Sequence, residues 1–482
     1  MFPLLRLLSS FVLVTQDPTD AGMPAKPATY ILSGPVPTDE WARFCHYSAF
    51  VSRLRWSNAK NPPEIAPPTW IYLERLSRGR PLLPSLRHLR WTLASAWSTE
   101  LLLLATPALE HLTIDYNYKA VTDVSEWEDA VNALFRHVFA VSTRITHLIL
   151  HTGNLDFLRH VPLLTTLGQL RQLKLQQFYG MADGHGATEL HILSRLPELD
   201  FLSIAVDMYA DPLPAFHGFK RLRKLIVTDT GGVQKLFATC NPSSLRDLDL
   251  THGGGGCTVD EWIATSEAVA ANLPRLAKFD WRISPDDADE LSTSADTLSR
   301  MLKPLASLRL LHHVTITIDV ACADHGVPDT LLRMLAEAWP RLRTFSLLWM
   351  ADEVENNHAY PPIVTPSTNA LAALATCCPK LDRLSLTSLF VPEASLEDVI
   401  AYPLSSHPLR LLSAKRFRST NTQMAALVLD RLFPRIDIEG SREKEDAGGP
   451  SIAEHPSHWA EVMGTLKLCR LARITRPDTV GL

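Results

Sequence analysis

The stretch LGQLRQLKLQQF at 167–178 decides the fold through the spacing of three leucines. Leu170, Leu173 and Leu175 stand three and then two residues apart. An amphipathic helix repeats its apolar positions at three and four residues and a half-buried strand at two, so neither period alone accounts for the run. A turn leading into a short strand does account for it. The first leucine packs under the turn, and the next two point the same way from the strand.

The same spacing recurs along most of the chain. LRHLRW (86–91), LEHLTI (109–114), ITHLIL (145–150), LDFLSI (199–204), LRKLIV (222–227) and LRDLDL (245–250) carry it in the first half. LAKFDW (276–281), LHHVTI (311–316), LRTFSL (342–347), LDRLSL (381–386) and LRLLSA (409–414) continue it. Successive copies begin 23 to 39 residues apart, so the repeat varies in length. Many copies follow a proline (PSLRHL, PALEHL, PELDFL, PRLAKF, PRLRTF, PKLDRL), which stops a preceding helix and turns the chain into the strand. Isolated matches would arise by chance in a chain with 76 leucines among 482 residues. A dozen, with proline entry and polar residues at most of the intervening positions, would not.

This is the L-x-x-L-x-L signature of leucine-rich repeats. One short strand and its return segment cannot bury their own apolar faces, but a stack of them can. The expected fold is therefore an α/β leucine-rich-repeat solenoid: a curved arc with a parallel sheet on its concave face, helices on its convex face, and irregular repeats. The irregularity follows from the turns. A regular repeat places Asn three residues after the last apolar position; only Asn117 sits there, and other copies have Phe178, Gly253, Ser284, Met350 or Leu389.

The return segments read as helices. DDADELSTSADTLSRMLKPL (286–305), PDTLLRMLAEAWP (328–340) and STNALAALATCCP (367–379) begin with capping residues, space their leucines helically and end at or near proline. VSEWEDAVNALFRHVF, within an insertion at 115–144, is amphipathic, whereas DEVENNHAYPPIVTPS (351–366) reads as a loop. The expected organisation is an N-terminal flanking segment at 1–50, the solenoid at 51–440, a charged linker at 441–455, and a C-terminal helix and tail at 456–482 that caps the open end of the core.

Composition narrows the class. A net charge of −5 and a pI near 6.4 carry no footprint for nucleic acid or an anionic membrane. The opening MFPLLRLLSSFVLV is interrupted by Arg6 and lacks a small-x-small cleavage site, so it does not read as a secretory signal. No run approaches the ~18 apolar residues of a membrane span. Seven cysteines, at 45, 240, 257, 322, 377, 378 and 469, are odd in number and lack paired spacing; they read as reduced thiols of a cytoplasmic or nuclear protein.

Chemistry-bearing motifs are thin. GGGG at 253–256 follows a strand, but no Lys-Ser/Thr follows it, so it reads as a turn. Cys45-His46, His312-His313, Cys377-Cys378 and the pair His455 and His458 lack zinc-knuckle spacing. No G-x-S-x-G elbow occurs. The reading is a non-enzyme with no catalytic residues, no metal and no cofactor. In L-x-x-L-x-L the residue between the last two leucines and the one after them face the concave surface. That places Lys174, Gln176, Ser203, Asp249, Thr251, Asp280, Arg282, Thr315, Thr317, Ser385 and Thr387 on the expected protein-binding face.

The residues before the repeats carry a resemblance. PLLRLLSSFVLV (3–14), YILSGPVPTDEWARFCHYSAFVSRLRW (30–56) and YLERLSRGRPLLPSLRHLRW (72–91) resemble the segment downstream of the F-box in basidiomycete fungal F-box and leucine-rich-repeat proteins. Trp41, Arg43, Phe44, Tyr47, Val51 and Leu54 match that family's W-x-R-F-x-x-Y-x-x-x-V-x-x-L block. The family's F-box, with its L-P-x-E-[LIV] motif, has no counterpart in the chain. The resemblance implies the substrate-receptor part of an SCF-type ubiquitin ligase, monomeric, binding a protein whose identity the sequence does not name, and docking on Skp1 only if an upstream F-box exists. A ligase-independent repeat scaffold, or a ribonuclease-inhibitor-like or GTPase-activating repeat protein, would share the same repeats.

Overall fold

The computed structural model describes residues 2–14, 29–56, 64–93, 100–116, 124–151, 161–176, 186–207, 218–240, 242–253, 258–284, 295–318, 327–349, 365–392, 395–402, 405–441 and 458–475. Its contacts divide the chain into two compact units, Met1–Ala210 with Phe216–Arg223 and Asp211–Ala215 with Lys224–Leu482.

Every copy of the repeat starts a strand two residues after its first apolar position. In the first unit these strands are β5 (His88–Leu93), β6 (His111–Tyr116), β7 (His147–His151), β8 (Gln172–Gln176) and β9 (Phe201–Asp207). They pair in parallel and in sequence order, and β3 (Arg53–Arg55) adds to the free side of β5. The strand β3 comes from VSRLRW, which serves as a first repeat with Val51 and Leu54 in the apolar places. In the second unit β10 (Lys224–Gly231), β11 (Asp247–Gly253), β12 (Lys278–Ser284), β13 (His313–Ile318), β14 (Thr344–Trp349), β15 (Arg383–Val391) and β16 (Leu411–Ser419) likewise run parallel in sequence order. The fold of each unit is a leucine-rich-repeat solenoid.

The first position of the motif has a defined task. Leu86, Leu109, Leu276, Leu342 and Leu381 are each 0% exposed, under the turn that precedes their strands. Just after that turn, one carbonyl of most repeats accepts two successive N–H groups of the next. Arg87 receives Glu110 and His111, Glu110 receives Thr146 and His147, and Ala277 receives His312 and His313, all at 2.7–3.2 Å. The bracket holds adjacent strands in register, so corresponding motif positions lie side by side across the sheet. Buried hydroxyls add to it: Thr106 Oγ1 donates to the Leu86 carbonyl at 3.0 Å, and Ser142 Oγ to the Thr106 carbonyl at 2.9 Å. The Thr106 carbonyl also accepts the Leu109 N–H at 3.1 Å, so the Ser142 hydroxyl gives it a second donor.

Helices close the core over the leucine face of each sheet. Val124–Val141, Asp329–Ala338 and Thr368–Cys377 occupy the segments that read as helices. Of 286–305, the structure describes the helix Ala295–Leu302 and a 3-10 turn at Pro304–Ser307; all but the last two residues of the expected loop at 351–366, and all but the first of the expected linker at 441–455, lie outside the described residues. Caps are explicit. Ser367 Oγ accepts the Asn369 N–H, and Thr258 and Glu261 form a reciprocal capping box before the helix Val259–Asn272.

In the first unit, β1 (Phe11–Val14) pairs antiparallel with β2 (Thr29–Leu32), and β2 pairs in parallel with the short β4 (Glu64–Ile65). The helix Thr38–Ser48 buries Phe44 and stacks it on Trp41 at 5.0 Å, whereas Tyr47 of the same block is 50% exposed. In the second unit the helix His458–Thr475 buries Trp459, Val462, Met463 and Leu466, with Trp459 against Phe417 of β16. Arg470 of that helix donates to the Ile436 carbonyl at 2.6 Å and lies 3.6 Å from the buried Asp430 carboxylate.

Candidate recognition surface

The candidate site grows from the alternation of the strands. In β12 the burial order places Phe279, Trp281 and Ile283 in the core and Lys278, Asp280 and Arg282 on the opposite, open face. Parallel in-register pairing then carries each position across the sheet of the second unit. One row pairs Lys224 with Asp247, Asp247 with Lys278, and Lys278 with His313. The next row runs Asp249, Asp280, Thr315, Ser346 and Ser385. A third pairs Thr251 with Arg282 and Arg282 with Thr317.

Asp249, Thr251, Asp280, Arg282, Thr315 and Thr317, expected together from the motif, are neighbours on three adjacent strands. Ser385 and Thr387 stand farther along on β15, where Thr387 Oγ1 approaches the Leu347 carbonyl at 3.4 Å. Lys174 is on the open face of β8 in the first unit, while the side chain of Gln176 lies outside the described residues. Ser203 differs from expectation. It is only 7% exposed and its neighbour Ala205 8%, so on β9 the face that should have been open is covered.

The charges of this face are coupled. Lys278 Nζ lies 2.5 Å from Asp280 Oδ2 and 3.8 Å from Asp247 Oδ1, and Lys224 Nζ lies 3.5 Å from Asp247 Oδ2. Burial works to lower the Lys278 pKa, but its bond to Asp280 and the charges of Asp280, Asp247 and Asp249 outweigh this and raise it. Asp249 moves the other way for a carboxylate. Burial and the register partner Asp280 raise its pKa, against the partial relief of Lys278 and Lys224.

Beyond these strands, toward the C-terminal end, the face deepens into a cleft of about 200 Å³. Thr315, Thr344, Ser346, Ser385 and Ser413 line it with hydroxyls, and Arg383 supplies a cation. Leu411 and Gly440–Ser441 contribute to its walls. The motif rule located Thr315 and Ser385. It passed over Thr344, Arg383 and Ser441: the first two are at the strand-entry position, and the last comes from beyond the final repeat.

Other chemistry is sparse. Among the described residues no group of three or more His, Cys, Asp and Glu is placed to hold a metal ion. No described helix is long and apolar enough to cross a membrane. The thiols of Cys240 and Cys378 are buried, which pushes both pKa values up to about 12, so they are protonated and unreactive near neutrality.

No family model matches the chain, and no curated protein matches it. Among solved structures it is similar to human 5T4 (Wnt-activated inhibitory factor 1, trophoblast glycoprotein), at 16% identity over 51% of this chain and 69% of that one, with a TM-score of 0.26. A Bacteroides fragilis protein solved as a structural-genomics target is similar at 12% identity over 74% of this chain and 75% of that one, with a TM-score of 0.29. Likenesses at this level decide nothing about function. The repeat assignment rests on the twelve motif copies and the strands they form.

Proposed function

We propose that this chain is a non-enzymatic protein-recognition solenoid whose partner docks on the open face of β11 to β15. The observation that carries the reading is the Asp249 and Asp280 pair. Two carboxylates in register on adjacent strands repel each other, and the raised Asp249 pKa means that its ionisation opposes folding at neutral pH. A surface that held these residues only for solubility gains nothing from that placement, whereas a cationic side chain of a partner would relieve it. Charges of both signs on a rigid sheet also fix a partner's orientation, and the hydroxyl-lined cleft offers a place for an anchoring side chain.

The finer reading follows the resemblance. The solenoid would be the substrate receptor of an SCF-type ubiquitin ligase, with Skp1 engaged by an F-box. A pull-down comparing residues 1–482 with the same chain fused behind an F-box separates this from a ligase-independent scaffold. Skp1 retained only by the fusion, together with ubiquitination of a captured protein, supports the ligase reading; capture without ubiquitination supports the scaffold. The surface itself is tested by replacing Asp249, Asp280 and Arg282 with Ala. The variant should melt no lower than the wild type at pH 7, because removing the raised-pKa Asp249 offsets the loss of the partly exposed Lys278 and Asp280 pair, worth under ~1 kcal/mol, yet it should lose partners recovered by affinity capture. Unchanged partners at unchanged stability would remove this face from consideration.

A further inference from the structure

The first unit's open face carries a pattern of its own. His88 of β5 is the register partner of His111 on β6, and His111 that of His147 on β7. Their rings stack as a ladder, with centroids 4.3 Å apart at 8° and 4.0 Å apart at 24°. Arg53 of β3 and Gln172 of β8 continue the row on either side. Two residues farther along the strands a second row runs Arg55, Arg90, Thr113, Ile149 and Lys174. A third holds Asp115 and His151. The Asp115 carboxylate accepts Arg90 Nε at 2.8 Å and Nη2 at 3.3 Å, and lies 3.5 Å from His151 Nε2, so it is already engaged. Across these rows Arg53, Arg55, Arg90 and Lys174 face the single carboxylate of Asp115, beside four imidazoles.

Burial lowers the His111 pKa, and the neighbouring His147, His88 and Arg53 push it the same way against Glu110. Burial also lowers that of His147, with Arg171 and His88 adding to the effect and Asp200 and Glu110 opposing it. At neutral pH these two rings are uncharged, and charging rings 4 Å apart is penalised unless an anion lies against them.

We propose that the sheet face over β3 and β5 to β8 is a docking surface for an acidic polypeptide segment, and that the histidine ladder makes this binding tighten as the medium acidifies. Charge complementarity selects the occupant. Rows two residues apart along a strand are about 6.6 Å apart, which is also the spacing of alternate carboxylates in an extended peptide. A nucleic acid fits less well. Bases require free aromatic faces to stack on, and here both faces of His111 and one face each of His88 and His147 lie against a neighbouring imidazole. The proposal rests on the reading of the chain as a protein-recognition solenoid but concerns a different surface.

The test uses purified residues 1–482 and a fluorescent peptide of alternating Glu and Ser, with fluorescence anisotropy at pH 7.5 and 5.5 in low salt. Glutamate stays ionised at both values, so a pH dependence comes from the protein. The peptide should bind about tenfold more tightly at pH 5.5, as expected when binding takes up on average about half a proton across those two pH units. The double variant His111→Gln, His147→Gln should lose most of the gain on acidification, read as the ratio of its own affinities at the two pH values. The double variant Arg55→Glu, Lys174→Glu, at exposed or half-exposed positions that leave the fold intact, should lose binding at both values. A Gln-Ser peptide should not bind. The Asp249, Asp280 and Arg282 triple variant should bind the Glu peptide as the wild type does, which separates failure of this proposal from failure of the other surface. No binding of the Glu peptide, an unchanged pH response in the His111 and His147 variant, or tighter binding of an oligouridylate of equal charge would each overturn it.

Discussion

Trp339 offers a direct test of how the repeats are stacked. It ends the helix Asp329–Ala338, is 0% exposed, and donates its indole Nε1 proton to the Leu305 carbonyl of the preceding return segment at 3.1 Å. Its ring meets Phe345 of β14 edge-on, with centroids 5.9 Å apart. Its own carbonyl faces the Cys378 thiol of the following return segment at 3.6 Å. The residue therefore joins three successive return segments. Trp339→Ala removes a fully buried aromatic side chain, which costs about 3–5 kcal/mol. The lost hydrogen bond adds about 1 kcal/mol and not more, because the Leu305 carbonyl keeps the Leu308 N–H at 3.0 Å. Trp339→Phe retains most of the apolar volume and should cost about 1–2 kcal/mol, chiefly the hydrogen bond and the space left by the smaller ring. Guanidinium titrations of the three proteins followed by far-ultraviolet circular dichroism give the comparison. Both substitutions should shift the midpoint while the slope holds, unless the Ala variant uncouples neighbouring repeats and splits the transition. A loss under about 1.5 kcal/mol for the Ala variant, or equal losses for both, would refute the packing described.

Three further outcomes follow from the charges. Asp249→Asn should raise the melting midpoint at pH 7, because the Asp249 pKa is raised in the folded state; the advantage should develop as pH climbs past the ordinary carboxylate value and vanish below it, and a midpoint lower than wild type at pH 7 would sink the argument. His111 and His147 have lowered pKa values, so their contribution to stability is intact above about pH 6.5 and is lost as pH falls through their folded values. Calorimetry of the His111→Gln, His147→Gln variant should show less loss of stability between pH 7.5 and 5 than the wild type shows. Arg470→Ala removes the cation beside the buried Asp430 together with its bond to the Ile436 carbonyl, and should cost roughly 3 kcal/mol; faster proteolysis of the C-terminal helix His458–Thr475 than in the wild type is the companion readout, and an unchanged rate would count against the clasp.

The repeat was legible because its period is written in residue types that have few other uses in that order. A leucine followed three and five residues later by apolar residues, with proline before it, describes a turn and a strand wherever it occurs, and each of the twelve copies became one. The first strand of the sheet, Arg53–Arg55, escaped this reading. Val51 and Trp56 stand where leucines usually do, and the block from Trp41 to Leu54 drew attention as a flanking motif. A signature allowing Val at the first position and Trp at the last would have found it. The burial of Ser203 was not legible at all, since what covers a strand face depends on segments distant in the chain.

The sequence by itself determined the local unit: a helix, a proline turn and a strand with one apolar face. It also determined that such units must stack, because none can bury its leucines alone. Only the tertiary structure decided which side chains meet. His88, His111 and His147 are separated by 23 and 36 residues, spacings that carry no relation in a linear reading. They become a stacked column because one carbonyl of each of these repeats receives two N–H groups of the next, which sets the parallel strands in register. Asp249 and Asp280 meet for the same reason, as do Thr315, Ser346 and Ser385. Insertions of any length can loop out between strands without disturbing that register, so the surface is composed across repeats while the sequence is written along them.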